Sequence, residues 1–370
     1  MPKIRVLVVD DAVVIRKMLT EMLSQDVDIE VAGIAANGKI ALAKISQVNP
    51  DLITLDVEMP EMDGIETIKE IRKKYPKMPV IMFSTLTQRG AGATIEALSY
   101  GATDYVSKPA NVGSVMDGFN RIKAELILKI KQYCSALLAT PASASVGTSL
   151  SSVSVPKPHL GQMTKLVDKT FDILAVGTST GGPNALIDVF SNITKPLGVP
   201  IVIVQHMPPV FTEMLAKRLD EKCPSITFHE AQEDMEILPD HAYIAPGGKH
   251  LDVVRKGTSL RAHLHEGPPE NSCRPAVDVL FRSVVSVFGA RVLGVILTGM
   301  GKDGLRGCEA IKEQKDSVIA QDKDTSVVWG MPGYVVQENL ADLVLPLDQV
   351  ANTISKIYSN RVHNKTLVAH

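Results

Sequence analysis

Short apolar runs alternate with amphipathic stretches along most of the chain, and that alternation leaves few folds open. In the first third, Ile4–Val9, Ile29–Ile34, Asp51–Leu55, Val80–Phe83 and Asp104–Val106 read as buried strands. Between them, Ile15, Met18, Leu19, Met22 and Leu23 recur at helical spacing, and Val112, Val115, Met116, Phe119 and Ile122 mark a second such face. Strands apolar on both faces must be covered on both, so the pattern predicts a parallel sheet between helical layers. The expected fold class is α/β.

Residues 139–156 break the pattern: six serines, no charge and no periodicity predict a flexible tether. Beyond it the alternation resumes. Phe171–Val176, Pro200–Val204, Tyr243–Ala245 and Val292–Leu297 read as strands, with helices near 183–191, 211–222, 275–287 and 304–314. Gly247-Gly248 between two short runs predicts a hairpin, so an antiparallel piece is expected to join a mainly parallel sheet. A length of 370 residues is enough for two domains with separate cores.

Composition removes several functions. Lys and Arg total 39 against 41 Asp and Glu, a formal net charge of −2, which speaks against a nucleic-acid-wrapping protein. Cys134, Cys223, Cys273 and Cys308 lie far apart with no C-x-x-C pair, so neither a zinc framework nor a disulfide scaffold is expected and a reducing cytosol fits. The first apolar run is too short for a signal peptide and ends in Asp10-Asp11. The longest uncharged stretch, Gln132 to Pro156, is too rich in Ser, Thr and Pro to cross a bilayer. A cytoplasmic protein without direct membrane insertion is expected.

In an open parallel sheet, ligands bind beyond the carboxyl ends of the strands. Asp10 and Asp11 follow the first run, Asp56 the third, Ser84 the fourth and Lys108 the fifth. Carboxylates converging on one edge repel unless a hard cation such as Mg²⁺ joins them, and the cation would prime one of them for phosphoryl transfer. Each Asp or Lys alone could be a turn residue. Five matched groups in order at one edge favour a site.

These residues closely resemble the receiver domain of two-component response regulators: Asp10-Asp11, Asp56 in Leu-Asp-Val-Glu-Met-Pro-Glu-Met-Asp-Gly, Ser84, Tyr105 and Lys108-Pro109. The resemblance implies a flavodoxin-like five-stranded domain over about 3–123. It also implies phosphorylation of Asp56 by a histidine kinase, Mg²⁺ held by Asp11 and Asp56 with Asp10 assisting, and a switch formed by Ser84 and Tyr105 with Lys108 beside the phosphoryl group.

The first strand after the tether ends in Gly177-Thr178-Ser179-Thr180-Gly181-Gly182-Pro183. The glycines allow a tight strand-to-helix turn that would hold Ser179 near a helix N-terminus, where N–H groups can stabilise an oxyanion. Gly-rich loops also bind phosphate, but no Walker lysine follows and no G-x-G-x-x-G is present. His206 follows Ile201-Val202-Ile203-Val204-Gln205, and Asp303 lies in Thr298-Gly299-Met300-Gly301-Lys302-Asp303-Gly304. Alone, His206 could be structural and Asp303 a helix cap. Together they supply a nucleophile, a base and an orienter from three strand ends. Gly177 to Gly181 fits the G-x-S-x-G elbow of α/β-hydrolases, yet that family runs Ser, acid, His, whereas this chain runs Ser, His, Asp.

The fuller resemblance is to the chemotaxis protein-glutamate methylesterases. It rests on Gly-Thr-Ser-Thr-Gly-Gly, Gln205-His206-Met207-Pro208-Pro209, Tyr243-Ile244-Ala245-Pro246-Gly247, Arg274 to Phe281 and Val295 to Gly304, with Thr178 where relatives often carry alanine. It implies Ser179 as nucleophile, His206 as general base and acid, Asp303 as orienter, and an oxyanion hole from the Met300 N–H with one in the Thr180 turn. The implied reaction is hydrolysis of glutamate methyl esters on chemoreceptor helices, with deamidation of receptor glutamines through the same acyl-enzyme, no cofactor for hydrolysis, and inhibition by the unphosphorylated receiver. The expected organisation is a receiver at 3–123, a helix extension and linker at 124–165, a methylesterase domain with a mainly parallel, doubly wound sheet at 166–356, and a loose tail at 357–370. Two other readings stay open: a catalytically dead adaptor that binds receptor helices, and a metallohydrolase using His263 and His265.

Overall fold

The computed structural model describes residues 3–108, 115–134, 166–167 and 169–368. The chain divides into two compact units, Met1–Ser152 and Val153–His370. The tether read at 139–156 and the apolar mark at Val112 lie outside the described residues.

In the first unit, five parallel strands form one sheet: β1 (Ile4–Val9), β2 (Ile29–Ala35), β3 (Leu52–Asp56), β4 (Val80–Ser84) and β5 (Asp104–Ser107), ordered β2-β1-β3-β4-β5. Helices α1 (Val13–Ser24), α2 (Gly38–Val48), α3 (Gly64–Lys74), α4 (Gln88–Ser99) and α5 (Val115–Tyr133) connect and follow the strands. The helix face read from the spacing is the packed one. Leu19, Met22 and Leu23 are buried against Ile4, Val6 and Val8, with Ile15 and Met18 alongside. Asp63 and Glu66 form a capping box that starts α3 at Gly64. A side chain at Gly64 would lie 2.3 Å from the Asp56 carbonyl, so only glycine lets this helix start so close to the end of β3.

In the second unit, seven parallel strands form a sheet ordered β14-β13-β12-β6-β7-β9-β8. They are β6 (Ile173–Thr178), β7 (Ile201–Gln205), β8 (Thr227–Glu230), β9 (His241–Ile244), β12 (Val292–Ile296), β13 (Ser317–Gln321) and β14 (Leu343–Leu345). The helices are α6 (Gly182–Ser191), α7 (Phe211–Lys222), α8 (Val277–Phe288), α9 (Leu305–Glu313), α10 (Met331–Gln337) and α11 (Leu347–Val368). The order reverses at β6, whose neighbours are β12 and β7, and a crevice at the strand ends is expected there.

Two expectations are corrected. Gly247-Gly248 makes a turn but no hairpin, because β9 lies between β7 and β8 and has no free edge to pair with. The antiparallel pair comes one strand later, β10 (His250–Lys256) with β11 (Ser259–His265). It forms a separate two-stranded sheet rather than joining the large one. Of the loose tail expected at 357–370, the residues through Val368 continue α11, and residues 369 and 370 lie outside the described residues. Ile357 and Tyr358 are buried, and the Tyr358 hydroxyl donates to the Ile173 carbonyl at 3.0 Å, pinning the helix to the start of β6.

Candidate functional site

Two clusters stand at strand ends, one in each unit. In the first, Lys108 Nζ lies 2.9 Å from Asp10 Oδ2 and 2.8 Å from Asp56 Oδ2. Asp56 Oδ1 accepts from the Val57 N–H at 2.7 Å, and Asp10 Oδ1 from the Ala12 N–H at 2.9 Å. Asp10 and Asp56 are buried while Asp11 is exposed, and the three offer carboxylate oxygens within 4.8 Å of one another. Burial pushes the Asp56 carboxyl up to about 6, and the Asp10 charge adds to this against the opposing pull of Lys108. Burial works against the Lys108 ammonium, but its two carboxylate partners hold its pKa above the ordinary lysine value. A crowd of hard oxygen donors with excess negative charge fits Mg²⁺.

An open cavity of about 200 Å³ is lined by Asp11, Asp56, Val57, Glu58, Ser84, Thr85 and Lys108. The Ser84 hydroxyl donates to the Gly90 carbonyl at 3.0 Å, and the Lys108 N–H is bonded to the Ser84 carbonyl at 2.6 Å. Tyr105 is buried and is not part of the cavity lining. Glu58 and Thr85 are lining residues that the sequence reading did not single out. Each directly follows a residue of interest or its neighbour, which was the available signal.

In the second unit, Ser179 follows β6, His206 follows β7, and Asp303 lies in the turn after β12. The turns are laced by main-chain bonds: the Ser179 N–H to the Thr298 carbonyl at 3.1 Å and the His206 N–H to the Thr178 carbonyl at 3.2 Å. Gln205, quoted in the sequence motifs but given no role there, donates Nε2 to the Ser179 carbonyl at 2.9 Å and to the His206 carbonyl at 3.2 Å. A side chain at Gly299 would stand 2.9 Å from Ser179 Cβ, so glycine lets the loop after β12 close against the serine.

His206 Nε2 meets Asp303 Oδ2 at 2.7 Å. Asp303 is almost fully buried and is fixed from several sides. Its Oδ2 also accepts from the Val277 N–H at 2.7 Å, while Oδ1 accepts from the Asp278 N–H at 3.1 Å, the Gly304 N–H at 3.0 Å and Asn271 Nδ2 at 3.1 Å. Burial would raise this carboxyl, but the His206 contact and the N–H groups of Val277 and Asp278 hold it below its usual range. Burial likewise disfavours the imidazolium, but the hydrogen bonds to Asp303 and Cys273 outweigh it and raise the His206 pKa. Asp278 is pushed up to about 6, by burial first and also by the Asp303 charge, and Asn271 bridges the two carboxylates. Of the two coupled carboxylates, the one facing the histidine is thus the more readily ionised.

One contact was not expected. With Nε2 committed to Asp303, the other ring nitrogen, Nδ1, is hydrogen-bonded to Cys273 Sγ at 3.6 Å. Among the described residues, Ser179 Oγ has no hydrogen bond to His206 in this arrangement. The N–H groups of Met300 and Thr180 have no main-chain acceptor among the described residues. His263 and His265 stand apart on β11, paired with Glu233 and Asp252 at 3.1 and 3.3 Å.

Comparison with known proteins follows the same division. The response regulator receiver domain profile matches residues 6–119 and the CheB methylesterase profile residues 174–354. A protein-glutamate methylesterase/protein-glutamine glutaminase of Trichodesmium erythraeum is 50% identical over 354 residues, covering 96% of this chain and 99% of that protein. One from Nocardioides sp. is 50% identical over 347 residues, covering 94% and 93%. The crystal structure of the Thermotoga maritima CheB methylesterase catalytic domain is 40% identical, with a TM-score of 0.49, over 51% of this chain and 100% of that one. With identity sustained across both units, the chain belongs to the family of receiver-linked protein-glutamate methylesterases/protein-glutamine glutaminases.

Proposed function

We propose that this protein is a phosphorylation-activated protein-glutamate methylesterase of chemotactic adaptation that also deamidates receptor glutamines. The observation that supports this most is the hydrogen bond from His206 to a multiply anchored Asp303, formed at the sheet edge that carries Ser179. In this reading Ser179 Oγ attacks the ester carbonyl carbon while its proton passes to His206. The N–H groups of Met300 and Thr180 receive the oxyanion. The bond to methoxide breaks, the imidazolium returns its proton and methanol leaves. Water then repeats the sequence on the acyl-enzyme and restores Ser179 with a free glutamate. An amide substrate differs only in releasing ammonia. Asp303 orients the ring and stabilises its cation. With Nε2 held by Asp303, Nδ1 is the nitrogen left to take the Ser179 proton, and a hydrogen bond between them would form when substrate binds.

Regulation is assigned to the first unit. Asp56 is the phosphoacceptor, Ser84 and Tyr105 form the switch, and Lys108 pairs with the transferred group. Asp10, Asp11 and Asp56 would hold Mg²⁺, which when bound offsets their charge and that of the phosphoryl oxygens. The donor is a chemotaxis histidine kinase and the substrates are methylated chemoreceptor helices, which places the enzyme in the cytoplasm. Among the described residues, no helix is long and apolar enough to cross a membrane. The test is methanol release from methylated receptor, with and without a small phosphodonor. A donor-dependent rise that Asp56→Asn removes supports the reading. No methanol in either condition leaves the adaptor instead.

A further inference from the structure

The contact between Cys273 and His206 has no part in the ester chemistry just described. We infer that these two side chains form an inhibitory site for a thiophilic divalent cation such as Zn²⁺, seated on the base nitrogen. The inhibition, though not the binding, rests on the proposed hydrolase function.

The geometry is that of a metal pair. Ligand bonds of about 2.0 Å to nitrogen and 2.3 Å to sulfur at a tetrahedral angle put the two atoms about 3.5 Å apart. His206 Nδ1 and Cys273 Sγ are 3.6 Å apart. A metal-binding histidine commonly donates its other ring N–H to a carboxylate, which fixes the tautomer and makes the free nitrogen a better ligand. Asp303 does this at Nε2, and its own oxygens are tied to the N–H groups of Val277, Asp278 and Gly304. The ligand atoms of His206, Cys273 and Asp303 all lie within 4.8 Å of one another. The carboxylate therefore serves as the outer support, and imidazole and thiolate as the two direct ligands.

Cys273 is also the accessible thiol of the four. Cys134, Cys223 and Cys308 are buried, whereas Cys273 is half-exposed. Its main chain is held by a reciprocal pair of bonds with Glu270, at 2.8 and 3.1 Å, which keeps the sulfur in place. A cation there takes the lone pair that His206 needs for the Ser179 proton. Soft sulfur and imidazole select zinc over magnesium, so the ion that suits the receiver carboxylates does not compete.

The experiment uses the full-length protein in excess Mg²⁺, which occupies the carboxylate cluster. Zn²⁺ is titrated against methanol release, each variant normalised to its own metal-free rate. Separately, Co²⁺ is added and the near-ultraviolet thiolate-to-cobalt charge-transfer band recorded, a readout that needs no catalysis. Zn²⁺ is expected to inhibit, and Cys273→Ser and Cys273→Ala to raise the half-inhibiting concentration at least about tenfold and abolish the cobalt band. Protection of Cys273 from iodoacetamide by Zn²⁺ provides a third reading. A wild-type protein without the band, or variants inhibited at the wild-type concentration, would overturn the site. A band without inhibition would overturn its placement on the base nitrogen. Absence of hydrolysis altogether would instead strike the proposed function, while the band and the protection still report on the site.

Discussion

Replacing Asp303 by asparagine swaps one carboxylate oxygen for an NH₂ group, and the hydrogen bonds around the site decide which one. If the NH₂ replaces Oδ1, the buried Asp278 and Gly304 N–H groups lose their acceptor, while Asn271 keeps Asp278 as a partner. At about 1–3 kcal/mol per orphaned buried donor, that orientation costs roughly 2–6 kcal/mol. If it replaces Oδ2, only the Val277 N–H is orphaned, at about 1–3 kcal/mol, because His206 can turn acceptor at Nε2. The second orientation wins. It moves the ring proton to Nδ1, so the nitrogen meant to receive the Ser179 proton is already protonated. The expected loss in kcat is about 10⁴-fold, roughly 5.5 kcal/mol of barrier, while stability falls by only about 1–3 kcal/mol. Methanol release measures the first, urea unfolding the second, and ¹⁵N shifts of the imidazole report the tautomer. Activity within tenfold of wild type in a folded protein, or a ring proton still on Nε2, would refute the reasoning.

Ser179→Ala should lower ester hydrolysis about 10⁴-fold or more while Asp56 still accepts phosphoryl groups; both are measured on one sample, and substantial residual esterase would remove Ser179 from its role. A chelator should stop phosphoryl transfer to Asp56 and leave basal hydrolysis unchanged, so loss of basal methanol release would point to a metal in the ester chemistry. In the proposed mechanism hydrolysis needs neutral His206, whose pKa is raised by its Asp303 contact, so kcat/KM should climb with pH through a midpoint above 6.5. A midpoint below that value would contradict the contact. Tyr358→Phe leaves the Ile173 carbonyl without its donor and should cost about 1–3 kcal/mol in urea unfolding; an unchanged midpoint would show that the bond adds no stability.

The sheet cores and the strand ends were legible because they repeat. Every strand predicted in the first unit is present, its ends shifted by no more than one residue, and Asp10, Asp56 and Lys108 do converge. Ser179, His206 and Asp303 were readable because each directly follows an apolar run or lies in the glycine-rich turn after one. Short strands were not. β8 (Thr-Phe-His-Glu) carries one buried apolar residue, and β14 has three residues, too few for a period to show. Asn271 and Cys273 belong to an irregular loop in which Asn271 and Ser272 adopt positive φ, and no spacing rule leads from there to His206. Tyr358 is different, since Val350, Ile354, Ile357 and Tyr358 already trace a helix face and the signal was there to be read.

The lacing of β6 to β7 makes enzymatic turnover a gauge of strand alignment. Val204 pairs with Gly177 and Gln205 with Thr178, so the serine and the histidine each stand one step past a matched pair. A slip of one residue would turn every β7 side chain to the opposite face of the sheet. His206 would then leave Asp303 although the strand remained hydrogen-bonded and spectroscopically β. Recovery of esterase activity during refolding therefore times the locking of correct register, whereas circular dichroism times only the formation of strands. A lag between the two signals would measure how long the sheet spends misaligned.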